Sequence, residues 1–216
     1  MIDIGKIIEY FSRHSDNIEE INRVVKLHSN MLLRWQRIAN LIGLSDARDI
    51  AEFLYLDSFK AIKLVSEYLK MEGVKIEEIS DIGSGAGFPS IFWFYFIPDA
   101  RVILYEPKRK KANFLKDFIR IADLKNYSVI EEMVDKESLQ TELIVSKAAI
   151  NINDWVRFGI SNVRRGGVVV SLLTEESMRI YDRSVEKVGR VLKRDYVEYL
   201  LPYSQKRRIV GIIFKK

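Results

Sequence analysis

Residues Ile79-Ser-Asp-Ile-Gly-Ser-Gly-Ala-Gly-Phe-Pro89 run from a short apolar segment through three alternating glycines into a second apolar segment. The order of strand, glycine turn and helix restricts the chain to architectures in which a strand hands over to a crossover helix, the unit of a parallel α/β sheet. Glycines at 83, 85 and 87 let the backbone turn tightly and leave room for a ligand to lie against it. Pro89 suits a first helical turn, where its missing N–H costs nothing. A dinucleotide-binding loop would read G-x-G-x-x-G and place its third glycine at position 88, where this chain has Phe88. The spacing here is G-x-G-x-G, and a glycine triplet of this kind can also be a plain structural turn.

The pattern on either side fits an α/β reading. Before Gly73, apolar residues recur at helical spacing: Ile18, Ile21, Val24, Val25 and Leu27, then Met31, Leu32, Trp35 and Ile38, then Ala47 to Leu69. After Gly73, short runs rich in β-branched residues alternate with helical stretches. They predict strands at Ile79–Ile82, Val102–Tyr105, Tyr127–Ile130, Leu143–Val145, Val168–Leu172, Tyr196–Leu201 and Val210–Phe214. Helices are expected over Pro89–Phe96, Lys110–Ala122, Asn153–Asn162 and Glu176–Val191. The last two strands leave no room for a crossover helix, so they should pair antiparallel at the sheet edge.

Composition narrows the class of function. The 216 residues contain no cysteine, which removes thiolate metal sites, iron–sulfur clusters, disulfides and cysteine nucleophiles. No apolar run reaches the roughly 18 residues that span a bilayer, and the first residues lack the layout of a secretory signal. A cytoplasmic protein without membrane partners is expected. Lysine and arginine total 35 against 30 acidic residues, a net charge of +5, which favours a polyanionic partner. The basic clusters are Lys108-Arg109-Lys110-Lys111, Arg164-Arg165 and Lys206-Arg207-Arg208, each a candidate for RNA phosphates or simply a solvated face.

Around the loop, the candidate cofactor contacts are Gly83, Ser84, Gly85, Gly87 and Phe88. Glu106 ends the second strand, where a carboxylate can accept from both ribose hydroxyls of an adenosine cofactor. The alternative for Glu106 is a solvent-facing strand-end acid. Val134 and Asp135 follow the third strand and could meet an adenine edge, with Glu131 and Glu132 in competition. Lys147, at the end of the fourth strand, could contact the cofactor or an RNA phosphate, or be a solvated charge. Asn40 could read a base edge or cap its helix, and Trp35 reads as core. His14 and His28, far in sequence from the loop, read as surface or packing residues.

Asp81 followed by G-x-G-x-G resembles the first motif of class I methyltransferases. Further segments resemble one family, the RsmG (GidB) methyltransferases. Met31-Leu-Leu-Arg-Trp35-Gln-Arg-Ile-Ala-Asn40-Leu41 is similar to L-x-x-W-N-x-x-x-N-L, and Leu56-Asp57-Ser58 to the end of H-I-L-D-S. Asp81 to Pro89 is similar to D-x-G-[ST]-G-x-G-[LF]-P, Lys110 to Leu115 to K-[KR]-x-x-F-L, and Ser146-Lys147-Ala148 to S-R-A. The departures are Phe53 and Leu54 where members commonly carry Arg and His, Ile42 for Thr, Lys147 for Arg and Leu173 for Lys.

The resemblance implies a Rossmann-like, mostly parallel seven-stranded sheet with an antiparallel last strand, the class I S-adenosylmethionine-dependent methyltransferase fold. A helical region over 1–70 would precede a cofactor-binding domain over 71–216. It implies transfer of methyl from S-adenosylmethionine to N7 of a guanosine in 16S ribosomal RNA, by a monomer whose partner is that RNA or the small ribosomal subunit. No acid or base is assigned, because N7 carries a lone pair and no proton. Another substrate on the same fold, a non-catalytic RNA-binding relative, and a nicotinamide-dependent oxidoreductase are the competing readings.

Overall fold

The computed structural model describes residues 3–13, 18–134, 139–147 and 150–216. Seven strands form one sheet in the order β3-β2-β1-β4-β5-β7-β6. They are β1 (Glu78–Ile82), β2 (Arg101–Tyr105), β3 (Tyr127–Ile130), β4 (Thr141–Ser146), β5 (Val163–Leu173), β6 (Val191–Leu200) and β7 (Arg207–Lys215). The first five run parallel, and β7 lies antiparallel between β5 and β6. The expected antiparallel pair is present, with the last strand inserted inside the edge and β6 outermost. Strand order reverses between β1 and β4, and this switch point opens a crevice at the carboxyl ends of those strands.

The period of 2 along each strand sorts side chains onto two faces. Val102, Leu104, Val168, Val170 and Ile212 join the larger cluster, while Ile103, Tyr105, Val169 and Ile213 join the smaller. The larger face is covered by α1 (Ile4–Ser12), α2 (Ile18–Ala39), α3 (Ala47–Ile50), α4 (Asp57–Met71), α5 (Trp93–Phe96) and α6 (Arg109–Ala122). The other face carries α7 (Ile152–Asn162) and α8 (Glu175–Val188). The N-terminal helices therefore share one continuous core with the sheet, through Phe11, Phe59 and Phe92 among others.

Several elements differ from expectation for local reasons. The amphipathic stretch from Ala47 is helical to Met71 but contains a π-helical turn at Ala51–Leu56, where the Asp57 N–H reaches back to the Glu52 carbonyl. Such a turn adds a residue to the helix and re-aims the side chains that follow it. Pro89 precedes a 3₁₀ turn at Ser90–Phe92, so the helix after the loop shrinks to Trp93–Phe96. α8 stops at Val188 because Gly189 adopts φ +66°, which frees Val191 to begin β6. α2 ends at Asn40, whose φ of 44° and bond from the Gln36 side chain make it a helix terminator. Of the two histidines, His14 lies outside the described residues.

Candidate cofactor and substrate site

The glycine loop sits at the switch point, and its shape follows from its backbone bonds. The Gly83 and Ser84 N–H groups donate to the Tyr105 carbonyl at 2.8 and 3.1 Å, so the loop is stitched to the end of β2. Gly85 (φ +58°) donates its N–H to Glu106 Oε2 at 2.9 Å, and Lys108 N–H donates to Oε1 at 2.9 Å. Glu106 is buried and points at the loop. A cavity of about 460 Å³ opens against these groups. Gly83, Ser84, Gly85, Phe88, Glu106, Lys108, Lys111 and Lys147 line it, together with Ile42, Leu54, Ala86 and Pro107.

Not every candidate lies on that wall. Gly87 stands behind it: a Cβ there would meet Ile91 Cγ2 at 2.7 Å and Leu115 Cδ2 at 3.3 Å, so this glycine serves close packing of the following turn. Val134 is half-buried and packs with the smaller cluster on the far face of the sheet. Asp135 lies outside the described residues. The Lys147 stem lines the cavity, but its ammonium turns inward to Asp57 Oδ2 and the Phe53 carbonyl, each at 2.7 Å, and to Ser58 Oγ at 3.4 Å. These partners take up its three donors.

The basic clusters separate by edge. Lys108 to Lys111 open α6 at the carboxyl edge of the sheet. Among the described residues none of Lys108, Arg109 and Lys111 has an acidic partner, and Lys110 reaches only the Ile38 carbonyl at 3.5 Å. Lys206, Arg207 and Arg208 are on the same edge, because Ile209 pairs with Leu173 at the end of β5. Lys206 and Arg208 lie over the Phe53 ring at 4.8 and 5.6 Å, while Arg207 is paired with Glu198 and Glu175. Arg164 and Arg165 are at the amino end of β5, on the opposite edge, with Arg164 bonded to Glu142 at 2.7 Å.

Three residues escaped sequence reasoning. His28, from α2, is fully buried against the loop: its Nε2 lies 2.8 Å from the Ala86 carbonyl and its Nδ1 2.7 Å from the Tyr55 hydroxyl. Burial pushes its imidazole down to about 4. Asp57 is a buried acid joining Lys147 to the Tyr199 hydroxyl (2.8 Å) and Arg208 (3.7 Å). The Leu-Asp-Ser resemblance is the only sequence signal that marks it; nothing local marks His28 or Tyr55.

Asp81, beneath the loop, is fully buried, and neither carboxylate oxygen has a hydrogen-bond partner among the described residues. Burial drives its carboxyl from 3.8 up to about 7. The unfolded chain ionises near 3.8 and the fold resists ionisation until about 7, so this group favours the fold at low pH and loses that contribution as pH rises between those values. Asp81→Asn is expected to raise unfolding free energy by on the order of 2 kcal/mol near pH 8, with the gain shrinking towards pH 4. Chemical denaturation at both pH values checks this, and an equal change at the two would contradict it.

A mostly parallel sheet whose switch point carries this glycine loop and a strand-end acid has the class I methyltransferase fold. The fold aligns with the O-methyltransferase from Bacillus cereus in complex with SAH (TM-score 0.60, 14% identity, 96% of this chain and 97% of that one). It also aligns with the human methyltransferase 10 domain containing protein (TM-score 0.60, 12% identity, 88% and 96%). The GidB family model, rRNA small subunit methyltransferase G, matches residues 21–189, and the chain belongs to that family. It is 26% identical over 157 residues to Ribosomal RNA small subunit methyltransferase G of Mycoplasma capricolum subsp. capricolum, covering 71% of this chain and 65% of that protein. Relatives of the same name from Lachnoclostridium phytofermentans (24% over 199 residues, 88% and 79%) and Alkaliphilus oremlandii (27% over 207 residues, 91% and 82%) match over more of their length. No helix among the described residues is long and apolar enough to cross a membrane.

Proposed function

We propose that the protein transfers the methyl group of S-adenosylmethionine to N7 of a guanosine in 16S ribosomal RNA. The observation that carries this reading is a juxtaposition: the loop and Glu106 share one edge of the sheet with Lys206 and with Lys108–Lys111, cations that have no acidic partner among the described residues. S-adenosylmethionine supplies an electrophilic methyl on a sulfonium centre. Gly83, Ser84, Gly85 and Phe88 would hold it, and Glu106 keeps acceptor capacity for ribose hydroxyls beyond the two N–H groups it already receives. Val134 and Asp135 follow β3 in sequence and stay assigned to the adenine edge in this reading.

Guanine N7 attacks through a lone pair, so the work left to the residues is alignment and charge placement. The acid on the cavity wall, Glu106, is engaged in holding the loop, which agrees with a reaction that requires no base. Lys108, Arg109, Lys110, Lys111, Lys206 and Arg208 are the groups we assign to phosphates near the cleft; Arg164 and Arg165 could serve only a more distant part of a large RNA. The departures Ile42 and Leu54 put apolar surface on the cavity wall, and Phe53 lies under Lys206 and Arg208, so they bear on how the RNA is gripped. In this reading residues 1–70 form a helical wall over the cofactor domain of residues 71–216.

The test is transfer of labelled methyl from S-adenosylmethionine to small subunits from cells lacking this modification. Label in the 16S RNA, with apparent affinity falling as salt rises, is the expected outcome. Cofactor binding without label in any RNA would support a different substrate on the same fold.

A further inference from the structure

We propose that His28 and Tyr55 form a positioning pair that holds the glycine loop in its ligand-binding shape: Tyr55 satisfies Nδ1, and the imidazole so held bonds the loop through Nε2–H. The Ala86 carbonyl can only accept, so the bond at 2.8 Å requires the proton on Nε2. Nδ1 is then a lone pair that must accept, and the Tyr55 hydroxyl at 2.7 Å is the donor. The carbonyl therefore sets the tautomer, and the hydroxyl, by donating to Nδ1, satisfies the ring nitrogen that the tautomer leaves as an acceptor.

Location gives the bond its consequence. Ala86 stands between Gly85, whose N–H is held by Glu106, and Gly87, whose N–H is held by the Ser84 carbonyl at 2.6 Å. Fixing the Ala86 carbonyl from below pins the Ala86–Gly87 peptide plane, whose N–H is the one held by Ser84. The imidazole cannot swing away, because the rings of Phe88, Phe114 and Phe118 pack around it with centroids at 5.2, 5.5 and 4.7 Å. It is fully excluded from water, so a broken bond finds no solvent substitute. Tyr55 enters from the π-helical turn, so that irregularity of the N-terminal helices has a use at the cofactor site.

The pair as a device for ligand binding rests on the loop being the cofactor site, and the test separates the two claims. Nitrogen-15 spectra, assigned with a His14→Gln variant, are expected to show His28 as a single neutral Nε2–H tautomer in the free protein. Tyr55→Phe, which keeps the ring and removes the donor, is expected to leave Nδ1 without a partner, shift its resonance, and speed amide exchange across Gly83–Gly87 as the imidazole loosens. It should also weaken S-adenosylhomocysteine binding about tenfold, the size of one buried hydrogen bond, with the KM for RNA unchanged. His28→Gln, whose side-chain amide can still donate to Ala86, should retain tighter binding than His28→Leu. An Nδ1–H or charged imidazole in the wild type, or unchanged loop exchange in Tyr55→Phe, would overturn the pair. Failure of the wild type to bind S-adenosylhomocysteine would instead sink the cofactor reading, while tautomer and exchange would still decide the pair.

Discussion

Gly85→Arg is expected to weaken S-adenosylmethionine binding at least a hundredfold, roughly 3 kcal/mol, while the protein stays folded. Gly85 has φ +58°, a left-handed conformation that costs a side chain roughly 1–2 kcal/mol. A Cβ there meets nothing closer than the Gly83 carbonyl at 3.8 Å, so backbone strain is the main cost to the fold. The added side chain would extend into the cavity of about 460 Å³ that Gly85 lines. It would also bring a fixed positive charge to a site proposed for a cationic ligand, beside the acid that is to receive the ribose. Titration calorimetry with S-adenosylmethionine, alongside thermal unfolding, reads both halves; binding within a few-fold of wild type would mean the cavity is not the cofactor site.

Asp57→Ala is expected to cost about 3–5 kcal/mol of stability, the scale for breaking a buried ion pair from one side. Asp57 is 3% exposed and anchors the Lys147 ammonium at 2.7 Å, the Tyr199 hydroxyl at 2.8 Å and the Arg208 guanidinium at 3.7 Å. Its removal strands the ammonium with one carbonyl and one hydroxyl for partners. Lys147→Met should cost less, because Asp57 would keep Tyr199 and Arg208. The double variant should recover part of the Asp57→Ala loss, since neither charge of the pair is then left behind. Denaturant unfolding of the three variants tests this; a loss under about 1 kcal/mol for Asp57→Ala would place the pair among exposed, weak ones.

The two predictions draw on parts of the molecule that were unequally legible in the sequence. The Gly85 site is local: a strand, a turn and an acid at the end of the next strand can be read from periodicity, because parallel strands put successive carboxyl ends side by side. Glu106 reaches Gly85 across 21 residues of a single βαβ unit. Asp57 meets Tyr199 across 142 residues and His28 meets Ala86 across 58, separations at which spacing carries no signal. The same limit explains Lys147: its position at a strand end could be read, but the acid that turns its ammonium away from the cleft could not. Basic clusters look alike in sequence, and strand direction alone distinguishes Lys108–Lys111 at one edge from Arg164 and Arg165 at the other. Helix ends were misjudged where a single residue of positive φ decided them, as at Gly189.

The central claim is methylation of a guanosine at N7, and that product has its own chemistry: the ring carries a positive charge, so borohydride reduces it and aniline then cleaves the chain at that nucleotide. The most direct measurement treats 16S RNA from small subunits incubated with the protein and S-adenosylmethionine, and locates the breaks by primer extension. The account predicts one new enzyme-dependent break at a guanosine, absent with Gly85→Arg. Methyl incorporation with no such break, or breaks that persist with Gly85→Arg, would contradict it.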